Sequence, residues 1–192
     1  MLHRLSLAVA AFAFAATTAF AATNPVVELE TTAGLIKIEL YPDAAPKTVA
    51  NFVQYVKDKF YDGTQFHRVI DGFMIQGGGF TPEFSQKPTR PPVPIEAEAT
   101  SKAGMLNVPG AVAMARTSDP NSATSQFFIN VNDNKSLNYS PNNPGYTVFG
   151  KVVAGMEVVN KIAKSATGSG GPFPKDVPVE KVIIKSAKLV MP

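Results

Sequence analysis

The chain reads as a mainly β protein, a closed β-barrel of about eight strands capped by two helices, and three observations carry that expectation. Apolar residues recur at strand spacing in about eight separate stretches. Only two stretches switch to helical spacing, and they lie far apart. The 192 residues, 45% hydrophobic, amount to one domain when ~150 residues is a domain's ordinary share. A core of that size needs no disulfide staples.

Residues 1–21 read as an address rather than as structure. His3 and Arg4 precede an apolar run from Leu5 to Ala16, and the small-x-small triplet Ala19-Phe20-Ala21 follows. This is the three-part pattern of a secretory signal peptide cleaved after Ala21. The run is shorter than the ~20 residues that a membrane span needs. Residues 22–192 are then a single exported domain, soluble, with no stable membrane insertion.

Val26, Val27 and Leu29 face Leu35, Ile36, Ile38 and Leu40 across Thr32-Ala33-Gly34, a hairpin signature. From Ala44 to Lys57 the period becomes helical, with Val49, Phe52, Val53 and Val56 on one face and Pro46 tolerated in the first turn. Gln65 to Ile70 and Phe73 to Gln76 read as strands joined at Asp71-Gly72. Residues 77–94, rich in Gly and Pro, read as loop. Gly110 to Arg116, Ser125 to Val131 and Tyr146 to Val153 are further strands, and Asn132 to Gly145 is a long polar loop. Met156 to Lys164 is the second helix, Thr167 to Pro174 another Gly/Pro loop, and Val179 to Val190 the last strand.

Composition removes several chemistries. With no Cys there is no thiolate nucleophile, Cys-ligated zinc or iron–sulfur cluster. The histidines are His3 and His67, so beyond residue 21 a metal site or Ser-His-Asp triad would depend on His67. That residue lies beside cationic Arg68, which disfavours its protonation, and no nucleophile elbow accompanies it. The formal charge of +3 is spread along the chain rather than striped, which argues against a nucleic-acid partner. Gly77-Gly78-Gly79 lacks the Lys-Ser/Thr of a phosphate loop. Glu96 and Glu98 form an i, i+2 acidic pair expected to be solvated.

Three strands carry the candidate chemistry. Alternation places Phe66, Arg68 and Ile70 on one face, with His67 and Val69 on the other. Arg68 is then either an arginine snorkelling past apolar neighbours to water or a guanidinium held over an apolar pocket. Met74 with Gln76, and Gln126 with Phe128, each pair an amide with a large apolar group at i, i+2. That spacing suits a greasy pocket with a few polar fixtures, and equally an ordinary strand with a polar end. Phe73 joins the pocket only if the turn at Gly72 twists the strand start.

The run Phe66-His67-Arg68-Val69-Ile70, Gly72-Phe73-Met74-Ile75-Gln76-Gly77-Gly78, Ser125-Gln126-Phe127-Phe128-Ile129 and Val148-Phe149-Gly150-Lys151-Val152 closely resembles a cyclophilin, over about Val26 to Met191. Cyclophilins are peptidyl-prolyl cis–trans isomerases built as an eight-stranded antiparallel barrel with two capping helices. With its export signal, Met114-Ala115-Arg116-Thr117 segment and lack of Trp, the chain is most similar to the periplasmic cyclophilins of Gram-negative bacteria.

The resemblance implies that Arg68 is catalytic and that Phe73, Met74, Phe128 and Leu137 form the proline pocket. Gln76 and Gln126 correspond to polar groups lining the groove, and Ala115, Arg116 and Thr117 to the edge that holds the substrate backbone. Two positions depart from many eukaryotic members: Ser136 stands where they have Trp, and Tyr146 where they have a pocket His. The missing Trp implies weak cyclosporin binding. The implied reaction needs no covalent step, metal or cofactor, and its partners are proline-containing, unfolded or exported polypeptides in the periplasm, met by a monomer. Two other classes fit the same sequence: a proline-peptide-binding chaperone module without essential catalysis, and an exported anion- or envelope-binding barrel.

Overall fold

The computed structural model describes residues 24–190, so the signal-peptide reading lies outside the described residues. Eight strands form one antiparallel sheet: β1 (Val26–Thr31), β2 (Leu35–Leu40), β3 (Phe66–Ile70), β4 (Met74–Gly77), β5 (Ala111–Met114), β6 (Phe127–Asn130), β7 (Val148–Ala154) and β10 (Ile184–Val190). Their order across the sheet is β10-β1-β2-β7-β5-β6-β4-β3. The helices are α1 (Pro46–Lys57), α2 (Ala97–Lys102) and α3 (Met156–Ala163), and β8 (Thr167–Gly170) pairs with β9 (Phe173–Pro178) as a separate hairpin.

The sheet curls until β10 and β3, its two edges, nearly meet. They join not by a ladder but by one bridge, Gln65 to Ile183, with the Phe66 N–H donating to the Val182 carbonyl at 2.9 Å and the Ile184 N–H to that of Thr64 at 2.8 Å. The barrel is therefore closed at one end of these strands only, less completely than expected. Residues 179–183 leave the final ladder to make this junction, which shortens the strand expected from Val179 onwards.

Inside the curl, α1 seats Phe52 against Tyr61, Phe127 and Phe149, at centroid separations of 5.1, 5.5 and 4.9 Å. Val159 and Ile162 of α3 complete the same core. No residue at the start of α1 caps it with its own side chain. Glu96 does so from a distance: its carboxylate accepts from the Lys47 N–H at 3.1 Å, the Thr48 N–H at 2.8 Å and the Thr48 hydroxyl at 2.7 Å. Glu98 instead pairs with Lys102 at 2.8 Å, so the two acids do not act together.

Two elements differ from expectation. The helix α2 falls where no apolar period marks it, because six residues of Ala, Glu, Thr, Ser and Lys make little more than one turn. The β8–β9 hairpin occupies the stretch read as loop. Its prolines, Pro174 and Pro178, lie in a two-stranded ribbon, where a missing N–H can face away from the single partner. Among the described residues no helix is long and apolar enough to cross a membrane.

Candidate active site

Registers across four strands generate the site. Arg68 lies opposite Gln76, Gln76 opposite Phe128, and Phe128 opposite Ala113. Facing residues of an antiparallel ladder project to the same side, so this rung presents one outward stripe. The next rung, Val69–Ile75–Ile129–Val112, projects the other way and is wholly buried in the main core. On the outward side Met74, Ala111, Ala113, Phe128 and Val148 form a second, smaller apolar cluster, with Ile70, Phe73, Ala115, Leu137 and Tyr146 against it.

A bulge in β3 aims Arg68. The register slips between Phe66 and Arg68, and an extra residue reverses which face the following side chains take. Phe66 thus joins the core beside Phe127, and only Arg68 and Ile70 turn outward. Phe66 and Arg68 therefore do not share a face as simple alternation predicts. His67, at the bulge itself, leaves both faces and is buried against Phe80 and Phe173, with ring centroids 4.7 and 5.3 Å away. Burial chiefly, and the charge of Arg68 in addition, push its pKa down to about 4, against a hydrogen bond at the Gln65 backbone. It is neutral near pH 7 and lines neither cavity of the site.

Arg68, Phe73, Met74, Gln76, Ala115, Arg116, Phe128, Leu137 and Tyr146 line one cavity of about 150 Å³. Phe73 reaches it because Gly72 takes a φ of +69° in the β3–β4 turn, a value glycine tolerates freely. The turn thus supplies the twist that Phe73 requires. Gln126 and Thr117 line an adjoining, polar cavity of about 300 Å³ with Gln86, Thr89, Ser122 and Thr124, and Gln76, Ala115 and Arg116 border both. All the site residues expected from the sequence therefore fall on one groove. A larger open depression of about 610 Å³ crosses β1, β2 and β10, but Glu28, Glu30, Lys185 and Lys188 line it and no apolar socket forms there.

The polar fixtures are ordered along the groove. Gln76 donates through Nε2 to Oε1 of Gln126 at 2.9 Å and accepts at Oε1 from Nη1 of Arg68 at 3.5 Å. The second contact is long, which leaves the Arg68 donors largely unspent. Arg116 is held by three donors and one face: Nε and Nη2 donate to the Gly145 carbonyl at 3.1 and 2.9 Å, Nη1 donates to that of Thr117 at 2.8 Å, and the guanidinium lies 4.4 Å from the Tyr146 ring centroid.

The loop from Asn132 to Gly145 contributes more than the sequence suggests. Buried Asn130 accepts from Asn134 at 2.7 Å and donates to Asn107 and to the Ala111 carbonyl. Asn134 also donates to the Phe73 carbonyl at 2.9 Å, and Asn107 to that of Leu137 at 3.1 Å. Two walls of the apolar cavity are thus gripped by their backbones. Asn143 donates to the Ser136 and Asn138 carbonyls and accepts from the Gly145 N–H, which ties the loop to itself. The asparagine-rich run was the available signal for this network, but side-chain amides serve turns, caps and solvent equally well.

Residues 26–189 match the family described as cyclophilin type peptidyl-prolyl cis-trans isomerase/CLD. The chain is 50% identical over 186 residues to peptidyl-prolyl cis-trans isomerase A of Dickeya dadantii, spanning 97% of this chain and 93% of that protein. It is 51% identical over 164 residues to peptidyl-prolyl cis-trans isomerase B of Escherichia coli, spanning 84% and 97%. Among solved structures, a Cryptosporidium parvum cyclophilin-type isomerase crystallised in the presence of the dipeptide Ala-Pro superposes with a TM-score of 0.70 at 28% identity, covering 86% of this chain and 98% of that one.

Proposed function

The chain belongs to the cyclophilin-type peptidyl-prolyl cis–trans isomerase family and is such an isomerase, and we propose that it works through Arg68 above the socket formed by Phe73, Met74, Phe128 and Leu137. The reading rests on one observation, the rung that brings Arg68, Gln76 and Phe128 to the outward face of three adjacent strands.

Amide resonance sets a barrier of ~20 kcal/mol to rotation about an Xaa-Pro bond, or tens of seconds uncatalysed. As the bond twists, the prolyl nitrogen turns pyramidal and regains its lone pair. A donor aimed at that lone pair has a partner only in the twisted state, the condition under which binding energy raises turnover. Arg68 supplies that donor. A guanidinium stays cationic throughout the physiological pH range, and Gln76 orients it with one long contact. The apolar socket holds the pyrrolidine ring and favours the twisted amide, which is less dipolar than the planar one. Gln76, Gln126 and the backbone from Ala115 to Thr117 hold the chain on the other side of the bond while the ring side turns, and Tyr146 closes the wall against Phe128 at 5.6 Å. Proton transfer has no part in this scheme, in keeping with a buried His67 that titrates far below neutrality.

The same proposal places the protein in the periplasm, assisting the folding of exported polypeptides; the support is the leader pattern of residues 1–21. The test is recovery, from the periplasmic fraction, of a chain beginning at Ala22 that speeds proline-limited refolding of an exported protein in substoichiometric amount. Retention of the leader on cytosolic protein refutes export, and unchanged refolding rates refute the folding role.

A further inference from the structure

Arg116 differs from Arg68 in a way that the isomerisation step does not use. Three of its N–H groups are spent on the Gly145 and Thr117 carbonyls. A guanidinium carries five donors, so two remain. Its partners are neutral carbonyls and the face of Tyr146, which fix the plane without cancelling the charge. The group borders both the apolar cavity and the polar one. Among the described residues no Asp or Glu lines either cavity, and the one other charge lining them is a second cation, Arg68. Asp119, on the adjoining loop, turns its carboxylate to the Asn121 N–H at 2.9 Å and lines neither cavity.

A cation held still, uncompensated and with donors to spare is a receptor for an anion. We propose that Arg116 receives a carboxylate of the substrate chain, so that this isomerase favours Xaa-Pro bonds carrying an aspartate or glutamate within two residues of the proline. The inference rests on the placement of proline in the apolar socket, from which Arg116 marks the passage to the polar cavity. A carboxylate meets the two free N–H groups in charge-assisted hydrogen bonds, stronger than those to a neutral amide. Because Tyr146 and Gly145 already hold the guanidinium, little further ordering opposes the contact. Gly145 is suited to this duty. At its φ of +67°, a Cβ would stand 2.5 Å from the Tyr139 nitrogen, so a larger residue would displace the carbonyl that Arg116 grips.

The experiment measures kcat/KM for peptides that are identical except for Glu, Gln or Lys at each position from two before to two after the proline. At one position Glu exceeds Gln by about threefold to tenfold at low ionic strength, with Lys below both. The preference shrinks as salt is added. In Arg116→Gln the Glu-to-Gln ratio falls to about one at that position, and Arg116→Lys, which keeps the charge without the fork, restores part of it. Glu and Gln peptides turned over equally at every position by the unmodified protein would overturn the proposal without recourse to any variant, as would a ratio that survives in Arg116→Gln. Failure to isomerise the Gln peptides as well would sink the placement of the proline socket, and the receptor with it.

Discussion

The strands β3, β4, β6 and β5 carry two rungs one residue apart, and these face opposite worlds. Val69, Ile75, Ile129 and Val112 point inward and are sealed in the main core. Arg68, Gln76, Phe128 and Ala113 point outward onto a groove. The backbone is shared, so the difference lies in what covers each face. Helices α1 and α3 cover the first, while a loop tied by asparagines, the Phe73 turn and the segment from Ala115 to Thr117 rim the second without closing it. An apolar cluster left open on the outside of a barrel would ordinarily be a liability. Here two cations, Arg68 and Arg116, and the amide of Gln76 border it, which is the composition of a binding pocket. The inward rung should therefore govern stability and the outward rung turnover, with little exchange between them.

The largest test of that separation is Arg68→Ala. Arg68 is exposed and has one long hydrogen bond to lose, so the variant should unfold within a degree or two of the unmodified protein. Its kcat/KM on a proline peptide should drop by about 100- to 1,000-fold, or ~3–4 kcal/mol of transition-state stabilisation. A drop of less than threefold would remove Arg68 from the mechanism.

His67 lies at the bulge between the two faces and probes whether they are insulated. Its pKa is about 4 in the folded protein, against about 6.5 in an unfolded chain. Well above pH 6.5 it is neutral in both states and contributes no slope. As pH falls from about 6.5 to about 4 the unfolded state takes up the proton first, so stability falls with pH by as much as ~3 kcal/mol, then levels off. His67→Phe should flatten that segment of the stability–pH curve, measured by denaturant titration. Its Nδ1 has no hydrogen bond to lose, and the contact at the Gln65 backbone is the polar interaction given up. Phe keeps a ring between Phe80 and Phe173, so the variant should stay folded at pH 7. An unchanged slope would mean that His67 is not the group responsible.

Most of the architecture was legible because strand and helix periods are local. The β1–β2 and β3–β4 hairpins, α1 and α3 follow from spacing and turn residues alone, whereas the order of the strands across the sheet does not. What escaped is what depends on remote partners. The bulge at Phe66–Arg68 is invisible in Phe-His-Arg-Val-Ile, since alternation has no means of marking an extra residue. Glu96 read as solvated because the helix it caps lies 48 residues earlier in the chain. Asn134 reads as ordinary loop polarity until the fold brings Phe73 to it, and nothing local marks Asn107 as the partner of Leu137. The site residues themselves came from the family resemblance more than from pattern. Spacing left Arg68 open between a snorkelling side chain and a functional one.

The smallest effect is the sharpest check on the inward rung. Ile129 is fully buried between Ile75 and Val112 in register, and its neighbour Phe128 lines the groove. Ile129→Val removes one methylene from a packed interior, which costs ~0.5–1.5 kcal/mol and lowers Tm by about 2–6 °C in a domain of this size. The groove shares only backbone with that position, so kcat/KM should stay within twofold. A tenfold loss of kcat/KM in Ile129→Val, with the protein still folded, would mean that core packing is transmitted through β6 to Phe128. In that case the two faces are a single mechanical unit, and Arg68 is held by the core as much as by the bulge that aims it.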